Sequence, residues 1–313
     1  MTNSAPPQGS STPPRRLGGR RVPLIIAGEG DVGWSAMGKP AAAIFGRLRV
    51  ARRLLLIVFW VLLCFPIQAL LLALPGRANE ASARFFWKGM LAILGIRLRV
   101  LGEPAHRTAD GRPVVYIPSH CSWLDIPVLG ARLDASFVAK EEIGKWPVVS
   151  WIARLGRTVY VRRVRTSTVR ERDEMRARLA AGDSLILFPE GTTSDGSRVL
   201  PFRSAFLSVA EIPVSPDGRS AIVQPVSLVY DRLAGMPVGR ASRLVFAWPG
   251  DMDLASHFSR FARLQGFRAT ILLHPPVDPA AYVSRKALTE ALWRIVAEGA
   301  ADLRQNRDLA GNA

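Results

Sequence analysis

The chain has 313 residues, 49% of them hydrophobic, which leaves room for one large domain with appendages or two small ones. Its formal net charge is +17, almost all of it arginine, which admits a nucleic-acid partner, an anionic membrane surface or an arginine-biased proteome. The only two cysteines, Cys64 and Cys121, exclude a disulfide framework and zinc-ligand spacing, and they fit a reducing compartment.

Residues 1–45 are rich in Pro, Gly, Ser and Arg and read as a disordered basic tail. Within them, Gly28-Glu29-Gly30-Asp31-Val32-Gly33 matches the dinucleotide pattern G-x-G-x-x-G. Pro23 interrupts the preceding apolar run, and no second strand with a ribose-binding acid follows, so the match is a coincidence.

Residues 46–97 read as membrane-associated helices. Arg47, Arg49, Arg52 and Arg53 lead into 54–74, which holds no charged residue and matches the ~20 residues needed to cross a bilayer. It lies too far into the chain for a cleavable signal. Pro66 and Gln68, near its middle, are tolerated in a spanning helix and also suit a bent helix that dips and returns. A second apolar stretch, 85–96, is flanked by Arg84, Arg97 and Arg99. It reads as an interfacial helix, the return arm of a hairpin, or a core helix of the globular part. Positive charge on both outer flanks favours a hairpin with both ends in the cytoplasm.

Residues 98–303 follow an α/β pattern. Strand-like runs lie at 114–117, 136–139, 158–161, 184–188, 222–229, 244–247 and 269–273, with helical patterns between them. Trp146-Pro147 suits a helix start. Another helix is expected over 166–181, with Gly182 as its stop, and a last one over 284–303. Residues 304–313 read as a frayed end. The fold expected is α/β, a mixed sheet flanked by helices, with an N-terminal membrane-associated helical segment.

Two apolar runs open into polar loops, which suggests a site at the carboxyl edge of the sheet. The first is Val114-Val115-Tyr116-Ile117, followed by Pro118-Ser119-His120-Cys121-Ser122-Trp123-Leu124-Asp125. A histidine can take a proton from a hydroxyl, and a carboxylate on its other ring nitrogen fixes the tautomer. Five positions apart do not share a helix face. A turn at His120 and a helix starting near Ser122 would bring Asp125 back. A capped turn with a structural histidine explains the same residues. Cys121 is a poor nucleophile candidate, since adjacent side chains point apart.

The second run, Leu185-Ile186-Leu187, opens into Phe188-Pro189-Glu190-Gly191-Thr192-Thr193-Ser194. Backbone N–H groups in such a turn can hold a phosphate or carboxylate, with Arg203 as counter-charge. An ordinary capped strand-to-helix turn reads the same way. Arg162 and Arg163 end another strand, as phosphate forks or as a solvated strand end.

Taken together, His120-x4-Asp125, then Gly156-Arg157-Thr158-Val159-Tyr160-Val161-Arg162-Arg163, then Phe188-Pro189-Glu190-Gly191-Thr192, then Val223-Gln224-Pro225-Val226 resemble the four blocks of the glycerolipid acyltransferase family. The likeness covers about residues 85–275. It implies acyl transfer from a thioester, acyl-CoA or acyl carrier protein, to a lysolipid hydroxyl, with no metal or other cofactor. It implies His120 as general base and Asp125 as its orienter. Arg163, Glu190, Gly191 and Thr192 would bind the acceptor headgroup, and Pro225 would line the acyl or donor side. Membrane lipids are the expected surroundings, at the inner membrane with the site facing the cytoplasm.

Two departures touch the headgroup side: Arg162 stands where many relatives carry an acid, and Thr193 where phosphatidic-acid-forming relatives often carry a base. The acceptor expected first is 1-acylglycerol-3-phosphate, with lyso-ornithine lipid as the alternative. A reading of a different class is a basic protein that binds anionic lipid or nucleic acid without catalysis. No nucleic-acid motif supports it, and the arginines are spread along the chain.

Overall fold

The computed structural model describes residues 39–74, 78–105, 111–140, 159–161, 175–215, 217–250 and 252–306. The tail through residue 38 with its glycine pattern lies outside them, as do Trp146-Pro147, Arg162, Arg163 and most of the helix expected over 166–181. Residues Ala43–Ala313 form one compact unit.

The centre is a mixed sheet built from β1 (Ile96–Leu101), β2 (Val114–Pro118), β3 (Ser136–Lys140), β4 (Val159–Val161), β5 (Leu185–Ile186), β6 (Ile222–Leu233), β7 (Met236–Pro237) and β8 (Phe267–Leu273). Its order is β1-β8-β6-β2-β5-β3-β4, with β7 paired to the far end of β6. The strands β6, β2, β5, β3 and β4 run parallel to one another. β8 is antiparallel to β6, and β1 is parallel to β8. Every residue of β2 is buried. A parallel strand covered on both faces needs no polar alternation, and its near-continuous apolar run is the result.

Alternate residues of β2 serve different cores. Val114 and Tyr116 join the face covered by α2 (Ala78–Leu94), α3 (Asp125–Gly130) and α4 (Leu254–Ala262). Val115 and Ile117 join the face covered by α5 (Arg285–Arg304) and the 3-10 turn Phe206–Glu211. The helices start and stop where their sequence says. Ser284 caps α5 by accepting from Ala287 N, and Asp253 caps α4 by accepting from Ser256 N. The helical residues 175–180 end at Gly182, whose φ of +81° lets Asp183 N reach Arg178 O and Gly182 N reach Leu179 O.

A hairpin of α1 (Lys39–Ala73) and α2 precedes the sheet. Trp60 Nε1 donates to Phe86 O and Gln68 Nε2 to Asn79 O, a pairing that fixes them antiparallel. Gly89 makes room for Trp60: a Cβ there would sit 2.3 Å from the indole. The other face of α2 buries Phe86, Trp87, Met90, Leu91 and Leu94 in the sheet's core. The stretch 85–96 is thus both a return arm and a core helix. By contrast α1 is long, apolar and little covered: Ala43–Ala73 has a mean hydropathy of 2.7 over its best window, only 17% of it buried. It meets the length and composition of a bilayer span. Arg53 fastens its first half to the sheet-bearing unit by donating to Ala262 O and Leu264 O at the end of α4.

Three expectations change. β1 starts at Ile96, inside the stretch assigned to membrane helices, and its Ile-Arg-Leu-Arg-Val alternation is the strand signature. Residues 244–247 form no strand; they close the 3-10 turn Arg240–Val245, where Phe246 N and Ala247 N bond back to Arg243 O. Burial of Phe246 against Tyr230 satisfies that apolar run locally. Arg304, assigned to a frayed end, is the last residue of α5 and reaches the site described next.

Candidate active site

The loop after β2 is pinned before any chemistry is considered. Beyond Pro118, Ser119 N donates to Val226 O, and Leu228 N donates to Ser119 Oγ. His120 N donates to Glu190 Oε1 at 2.7 Å, and Ser194 N donates to His120 O. Trp248 N donates to Cys121 O, and Trp123 Nε1 donates to His257 Nδ1 on α4. Four separate segments therefore hold one short loop at the carboxyl edge of the sheet.

Asp125 opens α3 and is fully buried. Its Oδ2 accepts from Cys121 N at 2.8 Å and Ser122 N at 2.9 Å, and lies 2.8 Å from His120 Nδ1. The turn expected at His120 thus wraps around the carboxylate, and five positions become one contact. Oδ1 accepts from the Tyr230 hydroxyl at 2.8 Å. A carboxylate only accepts toward the ring, so in the neutral imidazole the proton sits on Nδ1 and Nε2 keeps its lone pair. The ring stacks on Phe188, centroids 3.9 Å apart, and stays partly exposed at 18%. A partly exposed, oriented imidazole whose Nε2 has no partner among the described residues is the geometry of a general base.

The second loop supports the first. Glu190 was expected on the acceptor headgroup; its buried carboxylate instead accepts from His120 N and from Leu200 N, so both oxygens serve the backbone. Burial outweighs those two bonds and pushes its pKa up to about 8. Gly191 turns the chain at φ +68°, where a Cβ would lie 2.8 Å from the Phe206 ring. Arg203 is exposed beside it, its Cδ 3.7 Å from that same point, and its N donates to Pro189 O. Thr192 is exposed on the same turn.

The structure therefore brings together His120, Asp125, Glu190, Gly191, Thr192 and Arg203. Pro225 does not face them: it is buried within β6, in register with Ile117. Its neighbour Val226 serves the site through the carbonyl that holds Ser119. Arg163 lies outside the described residues. Cys121 lies beside the cavity, but burial and the neighbouring Asp125 push its thiol well above the ordinary range, so it is an inert thiol. Among the described residues no group of three His, Cys, Asp or Glu side chains could share a metal ion.

Three residues of the site escaped the sequence. Tyr230 had a signal: Val226, Leu228 and Tyr230 share one face at period two, and β6 simply runs further than expected. Arg243 and Arg304 line a cavity together with His120, Cys121, Ser194 and Tyr230. No local pattern announces them, because they arrive from the turn Arg240–Val245 and the end of α5.

Comparisons with known proteins bear on the family and the fold. Residues 97–229 match the family model described as Acyltransferase. The chain is 36% identical to a lyso-ornithine lipid O-acyltransferase of Brucella abortus, over 79% of this chain and 92% of that one. It is 34% identical to the enzyme of the same name from Rhizobium meliloti, over 83% and 88%. A 1-acyl-sn-glycerol-3-phosphate acyltransferase of Neisseria meningitidis is 33% identical over 56% of this chain and 66% of its own. In fold the chain is similar to the 1-acyl-sn-glycerophosphate acyltransferase PlsC of Thermotoga maritima, with TM-score 0.59, 22% identity, and coverage of 84% and 98%. The match to the two lyso-ornithine lipid enzymes spans nearly their whole length, and this chain accordingly belongs to the acyltransferase family that acylates lysolipids.

Proposed function

We propose that this enzyme is a lyso-ornithine lipid O-acyltransferase, with His120 as its general base. The observation that carries the chemistry is the His120 ring held by buried Asp125, with Tyr230 on the carboxylate's other oxygen. The acceptor rests on the relatives. The Brucella abortus and Rhizobium meliloti enzymes named for lyso-ornithine lipid match across about nine-tenths of their length, the 1-acylglycerol-3-phosphate enzyme across two thirds. The order of acceptors expected from sequence is thereby reversed.

The reaction balances without metal or redox chemistry. His120 Nε2 takes the proton of the lysolipid hydroxyl as its oxygen attacks the thioester carbonyl carbon. The tetrahedral intermediate then expels sulfur, the C–S bond breaks, and the imidazolium returns the proton to the thiolate. The products are an ester and a free thiol. Asp125 holds Nδ1–H and offsets the charge of the transient imidazolium. General-base catalysis of this kind contributes roughly 10²–10⁴ in rate. Acyl-CoA and acyl carrier protein are the candidate donors.

Membrane association follows from the exposed apolar α1 and supports the reading, because the lysolipid is itself held in a bilayer. The α1–α2 hairpin returns the chain to the side from which α1 enters. With Arg47, Arg49, Arg52 and Arg53 at that entrance, the positive-inside rule favours a catalytic unit on the cytoplasmic face of the inner membrane.

The test is an acceptor panel with the full-length enzyme in detergent. Lyso-ornithine lipid, lysophosphatidic acid and other lysophospholipids are offered with both thioester donors. Acylation of lyso-ornithine lipid with the highest kcat/KM is expected; preference for lysophosphatidic acid would restore the acceptor read first from the sequence.

A further inference from the structure

The cavity beside His120 carries more positive charge than the general-base chemistry requires. Arg198, Arg243 and Arg304 line it, each from a different segment: the loop after β5, the turn Arg240–Val245 and the end of α5. Among the described residues none of their guanidinium groups makes a hydrogen bond or an ion pair. Arg304 is the most enclosed, and its buried Nε has no partner there. The nearby carboxylates make no ion pair with these arginines, although the charges of Glu190 and Asp195 partly offset the repulsion at Arg304. Asp125 and Glu190 accept from the loop backbone, and Asp195 accepts from Ser197 N. Thr193, on the same loop, donates its hydroxyl to Trp248 O and offers the cavity no charge.

Gathering guanidinium groups around a shared cavity is unfavourable unless an anion enters. Burial and the neighbouring Arg243 indeed hold Arg304 below the ordinary arginine range. A planar guanidinium fork matches the two oxygens of a carboxylate or phosphate, and two forks on one anion add geometric selectivity. The cavity also contains Tyr230 and the His120 segment, so an anion bound there lies near the reacting hydroxyl.

We propose that Arg243 and Arg304, with the exposed Arg198 at the rim, form an anion subsite that receives the acceptor's headgroup and sets acceptor specificity. The proposal rests on the lysolipid reading above. On that reading the anion is the ornithine carboxylate; the same forks would take the phosphate of a lysophospholipid.

The experiment compares the full-length enzyme with Arg304→Gln, Arg304→Lys and Arg243→Gln. Each is assayed with lyso-ornithine lipid, with the analogue whose ornithine carboxylate is a neutral amide, and with lysophosphatidic acid. Loss of a charge-assisted fork should raise the KM for lyso-ornithine lipid about ten- to a hundredfold in Arg304→Gln. The donor KM should stay unchanged, and Arg304→Lys should recover part of the loss. In the unmodified enzyme the amide analogue should show at least that penalty, and Arg304→Gln should distinguish amide from carboxylate less strongly, because only Arg243 then remains. An unchanged acceptor KM, or a rise in the donor KM instead, would overturn the subsite. If the unmodified enzyme accepts only lysophosphatidic acid, the ornithine reading fails. The subsite then stands if Arg304→Gln raises that acceptor's KM and falls if it does not. Should Arg304→Gln fail to fold, half-exposed Arg243→Gln carries the same comparison.

Discussion

Asp125 accepts from five groups, the weakest of them the Cys121 thiol on Oδ1, and they constrain His120 differently. The N–H groups of Cys121 and Ser122 hold Oδ2 in place, and the Tyr230 hydroxyl holds Oδ1. Only the bond to Nδ1 touches the base itself. Tyr230 is therefore a positioning residue. Tyr230→Phe leaves one buried carboxylate oxygen short of a donor, which costs about 1–3 kcal/mol. The expected result is a lower urea midpoint, with kcat down about tenfold and both KM values near unmodified ones. An unchanged kcat would remove Tyr230 from the site. Glu190 predicts a pH effect. Its folded pKa of about 8 stands above the ordinary 4.5, so between those values the folded state keeps a proton that the unfolded chain has lost. This contribution to stability is complete below 4.5 and lost as pH rises through about 8. Glu190→Gln does not titrate, so it should flatten the fall in urea midpoint measured from pH 5 to pH 8; a slope as steep as the unmodified protein's would assign the effect elsewhere.

At the scale of elements, legibility followed periodicity and failed where packing decides. β2 and the loop after it were readable, because an apolar run ending in Ser119-His120 can only finish at a sheet edge. Gly182 stopped a helix as expected, and α5 ran within a residue of its expected bounds. Residues 244–247 misled because a short apolar run looks alike in a strand and in a buried turn. The structural part that Glu190 plays was hidden for a related reason. Sequence shows a carboxylate in a loop but not that two backbone N–H groups claim both oxygens. The stretch 85–96 had three readings that only packing could join, since α2 contacts α1 on one face and the sheet core on the other. The element with the plainest test is α1. Leu62, 60% exposed near its middle, would face acyl chains. A carboxylate there should cost several kcal/mol of insertion, of the order of ~3. Leu62→Glu is expected to shift the enzyme from the membrane to the soluble fraction after an alkaline wash. Full retention would argue that α1 lies against protein instead.

For the whole molecule, the hairpin and the sheet make one device. Arg53 bonds the first half of α1 to the end of α4, and α4 holds Trp123 of the His120 loop through His257. The apolar helix and the base are thus joined through one helix, which on the membrane reading proposed above fixes the site near the surface where a lysolipid lies. Holding acceptor and donor in register can supply as much as ~7–11 kcal/mol of the barrier in well-aligned cases. The base supplies a further contribution, and it is a part that a single side chain can remove. The most direct measurement is therefore acyl transfer to lyso-ornithine lipid by full-length enzyme and His120→Ala, in the same detergent and with the same thioester. The rate should fall roughly 10²–10⁴-fold in His120→Ala, with its thermal midpoint and membrane partition retained. Transfer at the unmodified rate would contradict a reaction that begins with proton removal by His120.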